Sequence, residues 1–179
     1  MHHRAALDSD ALTFFVEAMR TGYRDGGPSA AVAQEGTAVL RSYLYARHVF
    51  TLLPTAVTQY RRIRDTAKLA FFEEVAAVIL LDAVPRPGAL EVETKWASFS
   101  AFHSGSDDCR LLAEADVMGI PYLLTFDRKF RRALACKADC TRVVTPSEYW
   151  NLLGVPSGAQ PRISPDPSNP LARETWWRW

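Results

Sequence analysis

Hydrophobic and polar positions along this chain follow two periods, and the switches between them mark the elements. Ala5-Ala6-Leu7 is a short apolar run that breaks at Asp8-Ser9-Asp10. Beyond it Ala11, Leu12, Phe14, Phe15, Ala18 and Met19 recur at helical spacing, with Glu17 and Arg20 elsewhere on the turn. The pattern predicts strand, acidic turn and helix, with Asp8 at the strand's end and Asp10 as the helix N-cap. Gly26-Gly27-Pro28 interrupts it. A second helix is expected over 30–47, with Val32, Val39, Leu40, Tyr43 and Leu44 as its apolar side.

Phe50-Thr51-Leu52-Leu53 reads as a short buried strand, and Pro54 suits the first turn of the next helix. That helix is expected to carry Val57, Gln59, Tyr60 and Ile63 together with Arg61, Arg62 and Arg64. An apolar helix over 67–81 stops near Pro85-Arg86-Pro87-Gly88, and helix is favoured again over 89–102. Ser106 or Asp107 is expected to cap a helix over 108–118 that buries Leu111, Leu112, Ala115 and Met118. Pro121-Tyr122-Leu123-Leu124-Thr125 predicts a strand with Asp127 just beyond it. A basic helix over 128–135, a strand over 142–144 and helical turns over 146–153 complete the pattern. Short strands alternating with helices imply a parallel sheet in an α/β sandwich.

From Val155 onward the pattern lapses. Five of the eleven prolines fall there, and the chain ends in Trp176-Trp177-Arg178-Trp179, three of its five tryptophans. The expectation is a domain over 5–153 and an extended, Pro-rich tail over 154–179 that builds no core of its own. Its tryptophans dock on the domain's own surface or in an oligomer, or form a stacking surface for nucleic acid or a partner protein.

Charge narrows the function classes. In 179 residues, 21 Lys+Arg stand against 20 Asp+Glu, a net charge of +1. Binding nucleic acid through bulk positive charge is excluded, and a local basic groove is not. Three cysteines, Cys109, Cys136 and Cys140, are too few for a disulfide scaffold and point to a reducing compartment. The apolar stretch 71–81 is broken by Glu73 and Glu74, short of a membrane span. Met1-His2-His3-Arg4 opens no apolar signal core. A cytoplasmic protein with no membrane partner is expected.

Candidate chemistry gathers on carboxylates. In an open parallel sheet, functional groups collect at the carboxyl ends of the strands. Asp8 and Asp127 each follow a strand directly, and Asp108 opens a helix. Three carboxylates meeting there repel one another unless a divalent cation neutralises them, and hard oxygen donors select Mg²⁺ or Mn²⁺ over zinc. Such a cation activates water for attack on phosphorus. The competing reading is that each Asp only caps a helix. Arg61, Arg62 and Arg64, and Arg128, Lys129, Arg131 and Arg132, would form a phosphate-holding rim or else solvated helix faces. Cys136 and Cys140 lie one turn apart, yet His2, His3, His48 and His103 sit at no ligand spacing to them, so free thiols are expected rather than zinc. The chain has neither a glycine-rich phosphate loop nor a Ser-centred nucleophile elbow.

Taken together, the motifs resemble the PIN-domain nuclease family, in particular its VapC-like toxin ribonucleases. Leu7-Asp8-Ser9-Asp10-Ala11-Leu12 is similar to the family's opening strand and acidic motif. Asp107-Asp108-Cys109-Arg110-Leu111-Leu112-Ala113-Glu114-Ala115 is similar to its third motif, where an Asp opens a helix. Leu124-Thr125-Phe126-Asp127-Arg128-Lys129-Phe130 resembles the fourth, and Val143-Val144-Thr145-Pro146-Ser147-Glu148-Tyr149 the closing strand and helix. The resemblance spans about residues 5–153 and implies a three-layer α/β/α sandwich around a mainly parallel sheet. It implies Mg²⁺- or Mn²⁺-dependent cleavage of RNA, with an antitoxin protein as partner and pairing into homodimers. By matching position, Asp8, Asp108 and Asp127 would hold the metal, with Asp10, Asp107 and Thr125 in supporting places. Leu53-Pro54-Thr55-Ala56-Val57-Thr58-Gln59-Tyr60 is similar to the second motif, but carries Gln59 where the family has Glu. An amide keeps an oxygen ligand and loses a charge, so a weakened domain that binds RNA or protein is the alternative. Asp8-Ser9-Asp10 is also similar to the opening of haloacid-dehalogenase phosphatases. That family expects Thr or Val at Leu12 and an apolar strand before its later acidic pair, which Phe99–Gly105 does not supply.

Overall fold

A computed structural model of the chain describes residues 4–21, 30–46, 50–79 and 88–179. Its sheet is built from four short strands: β1 (Ala5–Leu7), β2 (Phe50–Thr51), β3 (Tyr122–Leu124) and β4 (Arg142–Val144). Their order is β2-β1-β3-β4 and every pairing is parallel. β1 is buried throughout, as a central strand covered on both faces must be. Ala5 pairs with Phe50 on one side and Tyr122 on the other. The Asp8 N–H then extends the ladder by donating to the Leu124 carbonyl at 3.1 Å.

Eight α-helices are described: α1 (Ser9–Thr21), α2 (Ala30–Ala46), α3 (Pro54–Tyr60), α4 (Thr66–Ile79), α5 (Ala89–Ser100), α6 (Ser106–Val117), α7 (Arg128–Leu134) and α8 (Pro146–Leu152). α2 packs on α1 and α8, while α6 packs on α5 and α3. The fold is an α/β sandwich around an all-parallel sheet, consistent with three layers. Its core joins Leu7, Phe15, Phe50, Leu53, Leu111, Leu112, Ile120, Phe130 and Tyr149, all fully buried. Among the described residues no helix is long and apolar enough to cross a membrane.

Several local expectations shift, each for a visible reason. Asp8, not Asp10, caps α1: its Oδ1 accepts the Ala11 N–H at 2.7 Å, because the strand ends at Leu7 and the helix begins at once. Neither Ser106 nor Asp107 caps α6. Gly105 takes that position without a side-chain bond, and both residues join the first turn. α3 ends at Tyr60, short of Ile63, since Arg62 and Ile63 close a tight turn onto the Gln59 and Tyr60 carbonyls. Asp65 then caps α4 through the Ala67 and Lys68 N–H groups. α5 stops at Ser100 rather than 102. The turn at Gly26-Gly27-Pro28, the prolines Pro85 and Pro87, the helix ends at Arg47 and Leu81, and His2, His3 and His48 lie outside the described residues.

Residues 154–179 run against α1 and α2. The Arg162 and Ile163 N–H groups donate to the Leu44 carbonyl, and Asn169 Nδ2 donates to that of Met19. A 3₁₀ turn over Pro170–Arg173 buries Leu171, and Trp177 is buried beside it. Arg41 on α2 donates to the carbonyls of Trp176, Trp177 and Arg178. The segment has no core of its own and joins that of the domain. Trp179 stays partly exposed under the Arg41 guanidinium.

Candidate functional site

β1 leads to β2 on one side and neighbours β3 on the other, so the strand order reverses between β1 and β3. A crevice at such a reversal, outside the carboxyl ends, is where open α/β sheets bind ligands. Asp8 follows β1 there and Thr125-Phe126-Asp127 follows β3.

Asp8 is only 5% exposed. Burial pushes its carboxyl up, hydrogen bonds from Thr125 and Ala11 pull it back, and the charges of Asp10 and Asp108 push it up again, to about 7. Asp10, in the first turn of α1, is raised by partial burial and then by Asp108 and Asp127. Four carboxylates, from the starts of α1, α6 and α7, therefore act on one another. Asp127 caps α7, its Oδ1 accepting the Lys129 and Phe130 N–H groups at 2.6 and 3.1 Å. Buried Thr125 links the two strand ends: its hydroxyl bonds to Asp8 and accepts the Asp127 N–H at 2.9 Å. Both the capping role and the mutual repulsion are therefore present in these aspartates.

Asp108 lies in the first turn of α6, half-buried, with His103 Nε2 2.9 Å from its Oδ2. Gln59 turns to the neighbouring residue instead, its Nε2 donating to Asp107 Oδ2 at 2.9 Å. Gln59 Oε1 is buried without a hydrogen-bond partner among the described residues. Gln59 and Asp107 line a cleft of about 330 Å³ with Thr55, Arg62, Arg110 and Glu114. The predicted residues thus fall into two groups: Asp8, Asp10, Asp108, Asp127 and Thr125 interact with one another, and Gln59 pairs with Asp107.

Arg61 and Arg62 are exposed in the turn after α3, and Arg128 and Lys129 are exposed in the first turn of α7. None of the four pairs with a described carboxylate, whereas Arg131 pairs with Glu148 and Arg110 with Glu93. Cys109 is a buried free thiol, and Cys136 and Cys140 are exposed free thiols.

Two residues escaped sequence reasoning. His103 offers no ligand spacing to the cysteines, and its place five residues before Asp108 gives no helical register to read. Glu114 is buried on α6 and holds the start of α3, accepting the Thr55 N–H at 3.0 Å and its hydroxyl at 2.7 Å. Its position between Leu111 and Ala115, on the apolar side of the helix, was the available signal.

Among the described residues no three His, Cys, Asp or Glu side chains already stand as a metal cage. The donor set around Asp8 is nevertheless all oxygen and mutually repelling, which fits a hard divalent cation better than zinc. Compared with protein-family models, with curated proteins and with solved structures, the chain matches none.

Proposed function

We propose that this chain is a divalent-metal-dependent endoribonuclease with a PIN-like site. The observation that carries the reading is Asp8: a nearly inaccessible carboxyl raised to about 7 at the strand-order reversal, with Asp10 and Asp108 adding their charge. Among the described residues no Lys or Arg pairs with Asp8, Asp10, Asp108 or Asp127, which leaves these carboxylates suited to a bound cation. Asp8, Asp108 and Asp127 would hold Mg²⁺ or Mn²⁺, with Asp10 beside them. When bound, such a cation activates water and neutralises charge developing at phosphorus.

The chain's own groups do the rest. Thr125 fixes the Asp8 carboxyl and the Asp127 backbone together. Capping bonds fix the orientation of Asp8 on α1 and Asp127 on α7. Arg128 and Lys129, exposed beside Asp127 and paired with no described carboxylate, hold backbone phosphates, with Arg61 and Arg62 as a second basic pair.

The test is cleavage of a mixed RNA pool with Mg²⁺, with Mn²⁺ and with EDTA, with Asp108→Asn alongside. Metal-dependent cutting that Asp108→Asn lacks is the expected result. Cutting that survives EDTA, or persists in Asp108→Asn, would sink the proposal. A second reading, a domain that binds RNA without cutting it, is favoured by the engagement of Gln59 with Asp107. If the wild type is silent, Gln59→Glu separates the two: restored cutting means a disabled site.

A further inference from the structure

We propose that His103 is a positioning residue, holding the Asp108 carboxylate in its orientation toward Asp8; the inference rests on the nuclease reading above. A carboxylate only accepts, so His103 Nε2 carries the proton and donates to Asp108 Oδ2 across 2.9 Å. The residue is fixed at its ring and at both of its backbone polar groups. Its ring lies against Phe130, centroids 5.6 Å apart and 31° from parallel. Its backbone N–H donates to the Phe99 carbonyl at 3.2 Å. Its own carbonyl accepts from the buried Cys109 thiol at 3.4 Å.

Phe130 is also a residue whose N–H Asp127 caps. The brace on Asp108 therefore stands on the helix turn that Asp127 begins, and the two carboxylates are set relative to one another through His103 and Phe130.

Gly105 is the second, independent observation. A Cβ there would stand 2.3 Å from Asp108 Oδ2 and 2.6 Å from His103 Nε2. Its backbone, at φ −72° and ψ 96°, is open to any residue, so glycine is needed for space and not for conformation. The missing side chain is what lets the pair close. An alanine would displace the two side-chain ends and leave the backbone where it is.

Hydrogen bonds that orient a metal-binding carboxylate are typically worth roughly ten- to a hundredfold in metal affinity. The experiment measures the Mn²⁺ dissociation constant by calorimetry, without RNA, together with the melting temperature of the metal-free protein. It compares the wild type with His103→Ala, His103→Gln and Gly105→Ala. Expected is a ten- to hundredfold weaker Mn²⁺ affinity in His103→Ala and Gly105→Ala at a melting temperature within a few degrees of wild type. Recovery of most of that affinity is expected in His103→Gln, whose amide N–H reaches as Nε2 does.

Unchanged affinity in His103→Ala and Gly105→Ala overturns the proposal, and so does a loss that His103→Gln fails to recover. If His103→Ala does not fold, Gly105→Ala and His103→Gln decide alone. A wild type that binds Mn²⁺ and cuts RNA while the variants match it removes the positioning role only. A wild type that neither binds Mn²⁺ nor cuts RNA removes the nuclease reading, and the positioning role with it.

Discussion

Asp8 and Asp116 are 5% and 4% exposed, yet their carboxyls shift in opposite directions. Burial raises both. Asp116, on α6, accepts the Cys140, Thr141 and Asp139 N–H groups at 2.7, 2.9 and 3.3 Å, and Lys95 Nζ stands 2.5 Å away. Lys95 and these N–H groups outweigh burial and hold Asp116 below the ordinary aspartate range. Asp8 has one backbone N–H and one hydroxyl, and its charged neighbours are carboxylates. Partners, rather than exposure, decide the sign. Asp116 is a completed structural knot tying α5, α6 and the approach to β4, while Asp8 has no cationic partner among the described residues.

The sharpest way to break this contrast is pH. Asp8 titrates near 7 in the folded protein against 3.8 ordinarily. Between those values the folded chain keeps a proton that the unfolded chain has released, so stability contributed by Asp8 falls as pH rises from about 4 to 7. The full swing is on the order of 4 kcal/mol. Asp116 works in reverse: its contribution is present above the unfolded value and is lost as pH falls through its lowered one. Urea unfolding of the metal-free protein from pH 4.5 to 8 should show Asp8→Asn gaining stability relative to wild type across that window. A difference that stays flat with pH would contradict the account of Asp8. Mn²⁺ competes with the proton, so its stabilising effect on the wild type should be larger at pH 8 than at pH 6.

The same substitution at the other site should do the opposite. Asp116→Asn puts an amide N–H where Lys95 and the Asp139 N–H now find an acceptor. The expected cost is about 2–4 kcal/mol at pH 7. Asp8→Asn at that pH should cost nothing or stabilise. Urea midpoints read at unchanged slope check the pair, and equal losses at both sites would dissolve the distinction.

The contrast also marks what was legible in the sequence. Helical periodicity located α1, α6 and α7, and short apolar runs located β1 and β3, because cores impose those periods. The strand-end positions of Asp8 and Asp127 followed from that alone. Partners distant in sequence did not. Nothing in the pattern around Asp116 shows that Lys95 and the backbone at 139–141 converge on it. Nor does local pattern show that Gln59 meets Asp107, 48 residues away. The caps shifted by a residue or two because Asp8-Ser9-Asp10 and Ser106-Asp107-Asp108 each offer several capping types in a row, and only the strand's end and the Gly105 backbone choose among them.

A smaller effect tests the knot from its cationic side. Lys95 bonds both Asp116 and Asp139, but Asp139 is well exposed and that pair is worth little. Lys95→Met keeps the aliphatic stem and leaves Asp116 its three N–H donors. It should cost about 1–2 kcal/mol, less than Asp116→Asn, by the same urea measurement. A loss as large as that of Asp116→Asn would mean that the ion pair, and not the backbone donors, carries the site.

Cations divide as the aspartates do. Lys95 is committed within the chain, while Arg128 and Lys129 pair with no described carboxylate beside an acidic rim. Removing either should therefore change stability by less than about 0.5 kcal/mol. Its effect should appear on RNA. In an Asp108→Asn background, fluorescence anisotropy with a single-stranded RNA measures affinity across salt concentrations without cutting. Each of Arg128→Ala and Lys129→Ala should weaken binding and lower the log–log salt slope by about 0.7, the share of one phosphate contact on a single strand. If the slope holds in both variants, the pair is a solvated helix face, and the phosphate grip must be sought at Arg61 and Arg62, where Arg62 borders the cleft of Gln59 and Asp107.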